Sequence, residues 1–260
     1  MTRSKFLISL TWELKNLFRF PFPEILLALF TYMVFLPRIT TLSGSVDIQS
    51  TAWQEIAEDL AWKSSQVAAD YSLFAYLPLI ILTSIFSTLA FAYEIENGLL
   101  KVHLSNPNSK KNVFISKWLS CFLIVFSTLC CTLAFFLFLY MQENNLYMLF
   151  NTSWPPRVFL LAGLEALLIV SIAVSFSILS RKTSVSLVGS FATLYILQLL
   201  SDSAGMTYLP PQSFSWQAVF LFSRTGIKLS ELPIFMITPI ASIVLIAISY
   251  IYFSRRLELS

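Results

Sequence analysis

Apolar residues in this chain gather in long runs broken by short polar stretches, and the runs suit the crossing of a bilayer better than the filling of a soluble core. Ahead of the first run, Leu7, Leu10, Leu14 and Leu17 recur at helical spacing among Lys5, Glu13, Lys15 and Arg19. That pattern predicts an amphipathic helix over residues 3–20 suited to lying on a membrane surface. Pro21 and Pro23 break it, and Glu24 then falls in a first helical turn, where the helix dipole favours a carboxylate. A first span is expected at 22–36. It is short for a hydrocarbon layer of about 30 Å and so draws on flanking Phe20, Phe22, Ile39 or Leu42. The longest polar segment, 37–70, carries Trp53, Ile56, Leu60 and Val67 at helical spacing and predicts a surface-lying helix leading into the second span.

Further spans are expected at 71–93, with Pro78 as a kink, and at 118–141, 158–179, 185–200 and 233–253. Little more than Ser180 to Ser184 separates the fourth from the fifth, so those two must form an antiparallel pair. Residues 201–232, rich in Ser, Pro and Gly, read as a loop, and no second domain, internal repeat or low-complexity tract is visible. The fold class is therefore an all-α integral membrane protein: a single transmembrane domain over 1–260, with six transmembrane helices and an N-terminal amphipathic elbow helix.

Composition supports this reading. Hydrophobic residues make up 57% and charged residues 12%, about half the charge of a typical soluble domain, and the mean hydropathy is +0.74. A net charge of +3 does not argue for nucleic acid, but the placement of the charges sets the topology. Six spans put both termini on one side. On that side fall Arg3, Lys5, Lys15, Arg19, Lys101, Lys110, Lys111, Lys117, Arg181, Lys182, Arg255 and Arg256; opposite fall only Arg38, Lys63, Arg157, Arg224 and Lys228. By the positive-inside rule both termini are cytoplasmic and the protein is a multi-pass component of the cell membrane. The start does not read as a signal peptide, because the run Phe6 to Leu10 stops at Thr11, Trp12 and Glu13.

Enzymatic chemistry finds little support. No run matches a Gly-rich phosphate loop ending in Gly-Lys-Ser/Thr, so the chain is not expected to hydrolyse ATP by itself. No nucleophile stands beside a base. His103 lies in a polar segment away from other metal ligands, and Cys121, Cys130 and Cys131 read as packing residues, so no metal and no cofactor is expected on this chain. Scattered methionines argue against metal transport. Glu165 lies in the fourth span, about 12 Å below Arg157 at 1.5 Å per residue. An ionisable group at that depth is costly unless paired, neutralised or facing water. It reads either as part of a translocation path or subunit interface, or as a protonated or hydrogen-bonded packing residue. Ser171 with Ser175, and Ser186 with Ser190, give small-residue spacing that permits close helix contact. Asn151-Thr-Ser is a lone glycosylation sequon.

The informative stretch runs from Tyr93 to Leu119. A span exits through Glu94 and Glu96, then come Gly98, a short apolar-polar helix, Pro107, the pair Lys110 and Lys111, and Lys117 before the next span. Anchored at both ends by membrane helices, such a segment either transmits a push from a soluble partner or is an ordinary loop. The pattern Glu94-x-Glu96-x-Gly98, a leucine-bearing turn, then Pro107, Ser109, Lys110 and Lys117, resembles the signature after the second span of ABC-2 type permeases, the membrane-spanning subunits of ABC exporters. The chain departs from it in Leu99 for Thr or Ser, Asn106 for Leu, Lys110 for Arg, and Ser116 before Lys117. The elbow, the short link between the fourth and fifth spans and the long final outer loop resemble the same family.

The resemblance implies a permease subunit of an ABC transporter that forms the path for ATP-driven export of an unidentified substrate. It further implies a homodimer or heterodimer in membrane lipid and a separate ABC ATPase that carries ATP and Mg. Glu94, Glu96, Gly98, Lys101 and Pro107 would form the ATPase-coupling helix. The rival readings are a membrane scaffold or assembly protein that keeps the permease fold, and an ATP-independent secondary carrier, which would show more intramembrane ionisable groups or repeated halves.

Overall fold

The computed structural model describes residues 2–17, 53–100, 110–143, 154–180, 182–222 and 232–256, with isolated positions between 24 and 32. The expected first span at 22–36 and the Asn151 sequon fall largely or wholly outside them. The described elements are helices: α1 (Thr2–Leu17), α2 (Trp53–Ser87), α3 (Lys110–Glu143), α4 (Trp154–Ser180), α5 (Thr183–Ala204), α6 (Gln212–Phe222) and α7 (Leu232–Arg256). Among the described residues, five stretches are long and apolar enough to cross a membrane: Ser64–Glu96, Lys110–Leu139, Trp154–Ser180, Thr183–Ala204 and Leu232–Arg255. Each overlaps one of the spans expected after the first, and the helices run several residues past the apolar limits, since a bilayer bounds hydrophobicity and not helicity.

Helix α4 is the hub, packing against α2, α3, α5 and α7. In its most apolar stretch 72% is buried, against 17% for α5 and for α7. A helix apolar on every face belongs in the centre of a bundle, and Ala162, Ala166, Ala173 and Ser177, all fully buried, let its neighbours approach. The small-residue pairs lie at such contacts: the hydroxyls of Ser175 and of Ser249 in α7 are 2.7 Å apart, and Ser186 of α5 donates to Ser177 at 2.9 Å.

Three features differ from the sequence reading. Residues 53–70 do not form a separate surface helix: α2 runs unbroken from Trp53 through the span and past Pro78, as no glycine or proline interrupts residues 53–77. Second, α2 changes pitch near its end, where Thr88–Ala92 form a π-helical turn before a last α-helical turn, Tyr93–Glu96. Third, the predicted loop 201–232 contains α6. This helix packs chiefly on α2, with Phe214 fully buried beside Tyr76 at 6.5 Å between ring centres. The fully buried Gln217 side chain donates to the Ile234 carbonyl and the Thr238 hydroxyl of α7, each at 3.1 Å.

Candidate functional site

The motif lies where α2 ends, and its two acids are handled differently. Lys117, about two turns into α3, is fully buried. Its Nζ donates to Glu94 Oε1 at 2.7 Å and to Glu13 Oε2 of α1 at 2.8 Å. Both carboxylates are buried as well, at 4% and 5% side-chain exposure. One ammonium thus ties the N-terminal helix, the end of the second span and the start of the third. A shared hydrogen bond between Ser9 and Ser116, 3.1 Å, seals the same contact.

Burying three charges is costly, and the mutual attraction of such a cluster roughly offsets its desolvation, so its main effect is on geometry: α1 has one register in which Glu13 meets Lys117. Burial pushes the Glu13 carboxyl above its ordinary value of 4.5, against the pull of the ammonium. Next to the cluster lies an aromatic group, with Phe114 centred 5.9 Å from Phe91, 5.5 Å from Phe253 and 5.4 Å from Tyr250. The C-terminal part of α7 therefore packs at the same end of the bundle as α1, which puts both terminal helices at one end. Outward, α1 exposes Leu7, Ile8 and Trp12.

Glu96 is exposed and reaches the other way. Its Oε2 accepts the Thr183 backbone N–H at 2.8 Å and also the Thr183 hydroxyl. Two residues on, Gly98 has φ +69, a left-handed conformation that ends the helix and turns the chain away. Around the π turn, Ser87, Thr88, Ser177 and Ser186 form a hydroxyl cluster joining α2, α4 and α5, with contacts of 3.2 Å between Ser177 and Ser87 and 2.8 Å between Thr88 and Ser186. The Cys121 thiol of α3 donates to the Phe86 carbonyl at 3.8 Å. Free carbonyls are the cost of a π turn, and the Ser87 hydroxyl covers that of Ser84 at 3.2 Å.

Of the residues singled out from the sequence, Glu94, Glu96 and Gly98 fall at this one end of the bundle; Lys101 and Pro107 lie outside the described residues. Glu165 is 2% exposed. Its Oε1 has no partner among the described residues. That group sits well away from the motif, between two helices of the same chain. The Glu13–Lys117 pairing escaped the sequence reading, although a signal was present. Glu13 interrupts the stripe Leu10, Leu14, Leu17, and Lys117 interrupts Val113, Phe114, Cys121. A charge of each sign on an apolar stripe needs a partner of the other sign.

A family model described as ABC-2 family transporter protein matches residues 13–256. No curated protein matches the chain.

Proposed function

The chain belongs to the ABC-2 family of transporter proteins, and from that membership we propose that it is the permease subunit of an exporter, with ATP hydrolysed by a separate ABC ATPase. In this reading the ATPase docks on the segment after Gly98. Two permease chains, identical or different, line the path, and both termini face the cytoplasm of the cell membrane. A crossing at 22–36, the sixth, accords with α1 and the start of α2 lying at opposite ends of the bundle.

The observation that supports coupling is the buried Glu13–Lys117–Glu94 cluster. A segment that only linked two spans would need no costly charges beneath it. Fixing its two roots, Glu94 and Lys117, to each other and to α1 makes a stiff base, so that force on the intervening residues moves the spans instead of bending the connection. The π turn just above is a place where the second span can change pitch. Glu165, with a buried oxygen still free to accept a hydrogen bond, is the residue of the span interior on which we place a path-facing or interface role.

The test is purification of the tagged chain from its native membrane in mild detergent, alone and as Gly98→Pro. Proline cannot adopt φ +69. A nucleotide-binding subunit that accompanies the native chain and is lost with Gly98→Pro, while insertion persists, supports the reading. A chain that emerges without such a subunit removes ATP-driven export and leaves the scaffold reading in its place.

A further inference from the structure

We propose that Glu96 is a positioning residue that fastens the inner end of α5 to the segment leaving the second span, so that α5 follows that segment when it moves. This rests on the coupling role proposed above and adds a second line of transmission to it.

Helix α5 opens without a cap of its own. Lys182 precedes it in extended conformation, φ −113 and ψ 135, and makes no side-chain hydrogen bond to the helix. The first amides of a helix lack intrahelical partners and carry the positive end of its dipole. Glu96 supplies from another helix what the local sequence omits, with one carboxylate oxygen accepting both the Thr183 N–H and its hydroxyl. Elsewhere α5 is thinly held. Only 17% of its apolar stretch is buried, and Val188, Ile196 and Leu199 face outward. Along its inner part its remaining polar ties run mainly to the same second span, Thr88 to Ser186 at 2.8 Å and the Tyr76 hydroxyl to the Leu194 carbonyl at 3.2 Å, while at its far end Ser201 donates to the Leu209 carbonyl at 3.1 Å and accepts the Gln212 N–H at 3.4 Å. Ser177 of α4 adds one more, at 2.9 Å. Tyr76, Thr88 and Glu96 thus descend along the second span as a polar seam that α5 climbs from Thr183 to Leu194.

The spacing of the motif then has a physical meaning. Successive residues of an α-helix are about 100° apart, so residues two apart point to nearly opposite sides. On the single turn Tyr93–Glu96, one acid therefore serves α1 and α3 while the other serves α5. Glu96 is also the nearer to Gly98, where the chain departs, and takes any displacement of the departing segment first.

The experiment uses the complex with its ATPase in a Cys131→Ser background, with spin labels at Ile196→Cys on α5 and Phe138→Cys on α3, both exposed positions. The distance is read without nucleotide and with Mg-ATP and vanadate. The native motif should give a nucleotide-dependent shift. Glu96→Ala should abolish that shift while the ATPase still co-purifies, and Glu96→Gln, whose amide oxygen still accepts both hydrogen bonds, should retain most of it. Thr183→Pro removes both donors from the opposite side. Proline is tolerated at the first helical position, and the extended Lys182 suits the residue before it. It should reproduce Glu96→Ala, which guards against failure of either variant to fold. A full shift in both variants overturns the proposal. No shift in the native complex, with the ATPase bound, overturns the coupling reading itself, and the present inference falls with it.

Discussion

Lys117→Met tests the ion cluster most directly. Methionine keeps most of the length and apolar volume of the lysine stem but leaves Glu13 and Glu94 buried at 4% and 5% exposure without the ammonium they share. Breaking a buried pair by removing one partner costs about 3–5 kcal/mol, and at chain lengths of this order each kcal/mol shifts a melting point by about 2–4 °C, so the variant should melt about 10 °C lower. The informative comparison is with the triple variant Glu13→Gln, Lys117→Met, Glu94→Gln, in which no charge is left to desolvate. Because uncharged replacements of buried ion clusters are often neutral or stabilising, the triple variant should recover to within about 3 °C of the native chain. Thermal stability of the detergent-solubilised protein, followed by the loss of the monodisperse gel-filtration peak, reads both. If Lys117→Met melts with the native chain, or if the triple variant melts as low as the single one, the cluster is not what fixes α1 on α3, and the roots of the coupling segment do not form a stiff base.

Three further outcomes follow from the same geometry. At Gly98 an added Cβ meets nothing within 4 Å, so substitution costs only backbone strain at φ +69: Gly98→Ala should lose about 1 kcal/mol and Gly98→Asn clearly less, as asparagine tolerates that conformation, with the ranking read from melting curves. The raised Glu13 carboxyl means that the folded chain holds its proton more tightly than the unfolded one; its contribution is fully present below the ordinary value of 4.5 and is lost as pH rises through the folded value. The melting-point difference between native protein and Glu13→Gln should therefore shift in favour of the native protein on acidification from neutrality, and a difference constant with pH would refute the assignment. The shared hydrogen bond between Ser175 and Ser249 at 2.7 Å should give a coupling of about 0.6–2 kcal/mol in a double-mutant cycle with alanine, and a strictly additive cycle would show that α4 and α7 are held by packing alone.

The sequence by itself determined the elements and their solvent. Runs of apolar residues near bilayer length place five spans inside five of the observed helices, because in lipid a spanning backbone must satisfy its own hydrogen bonds and the helix does so locally. Ser180 to Ser184 likewise enforce the α4–α5 hairpin by brevity alone. The sequence also marked Glu94, Glu96 and Gly98 as a unit, since their spacing is a local property. Only the tertiary structure decided what each touches. Glu94 meets Lys117 across 23 residues and Lys117 meets Glu13 across 104, pairings that depend on how helices stack. The docking of α6 on α2 and α7 depends in the same way on Phe214 finding Tyr76 and Gln217 finding Thr238, and in the sequence Phe214 and Gln217 lie in what reads as a polar loop. The π turn is likewise silent in the sequence, because Thr-Leu-Ala-Phe-Ala would serve equally well in an α-helix. Hydroxyls and a thiol from three other stretches of the chain meet it and the two residues before it. Local periodicity thus fixes helices, while the choice among their possible contacts is made by the bundle as a whole.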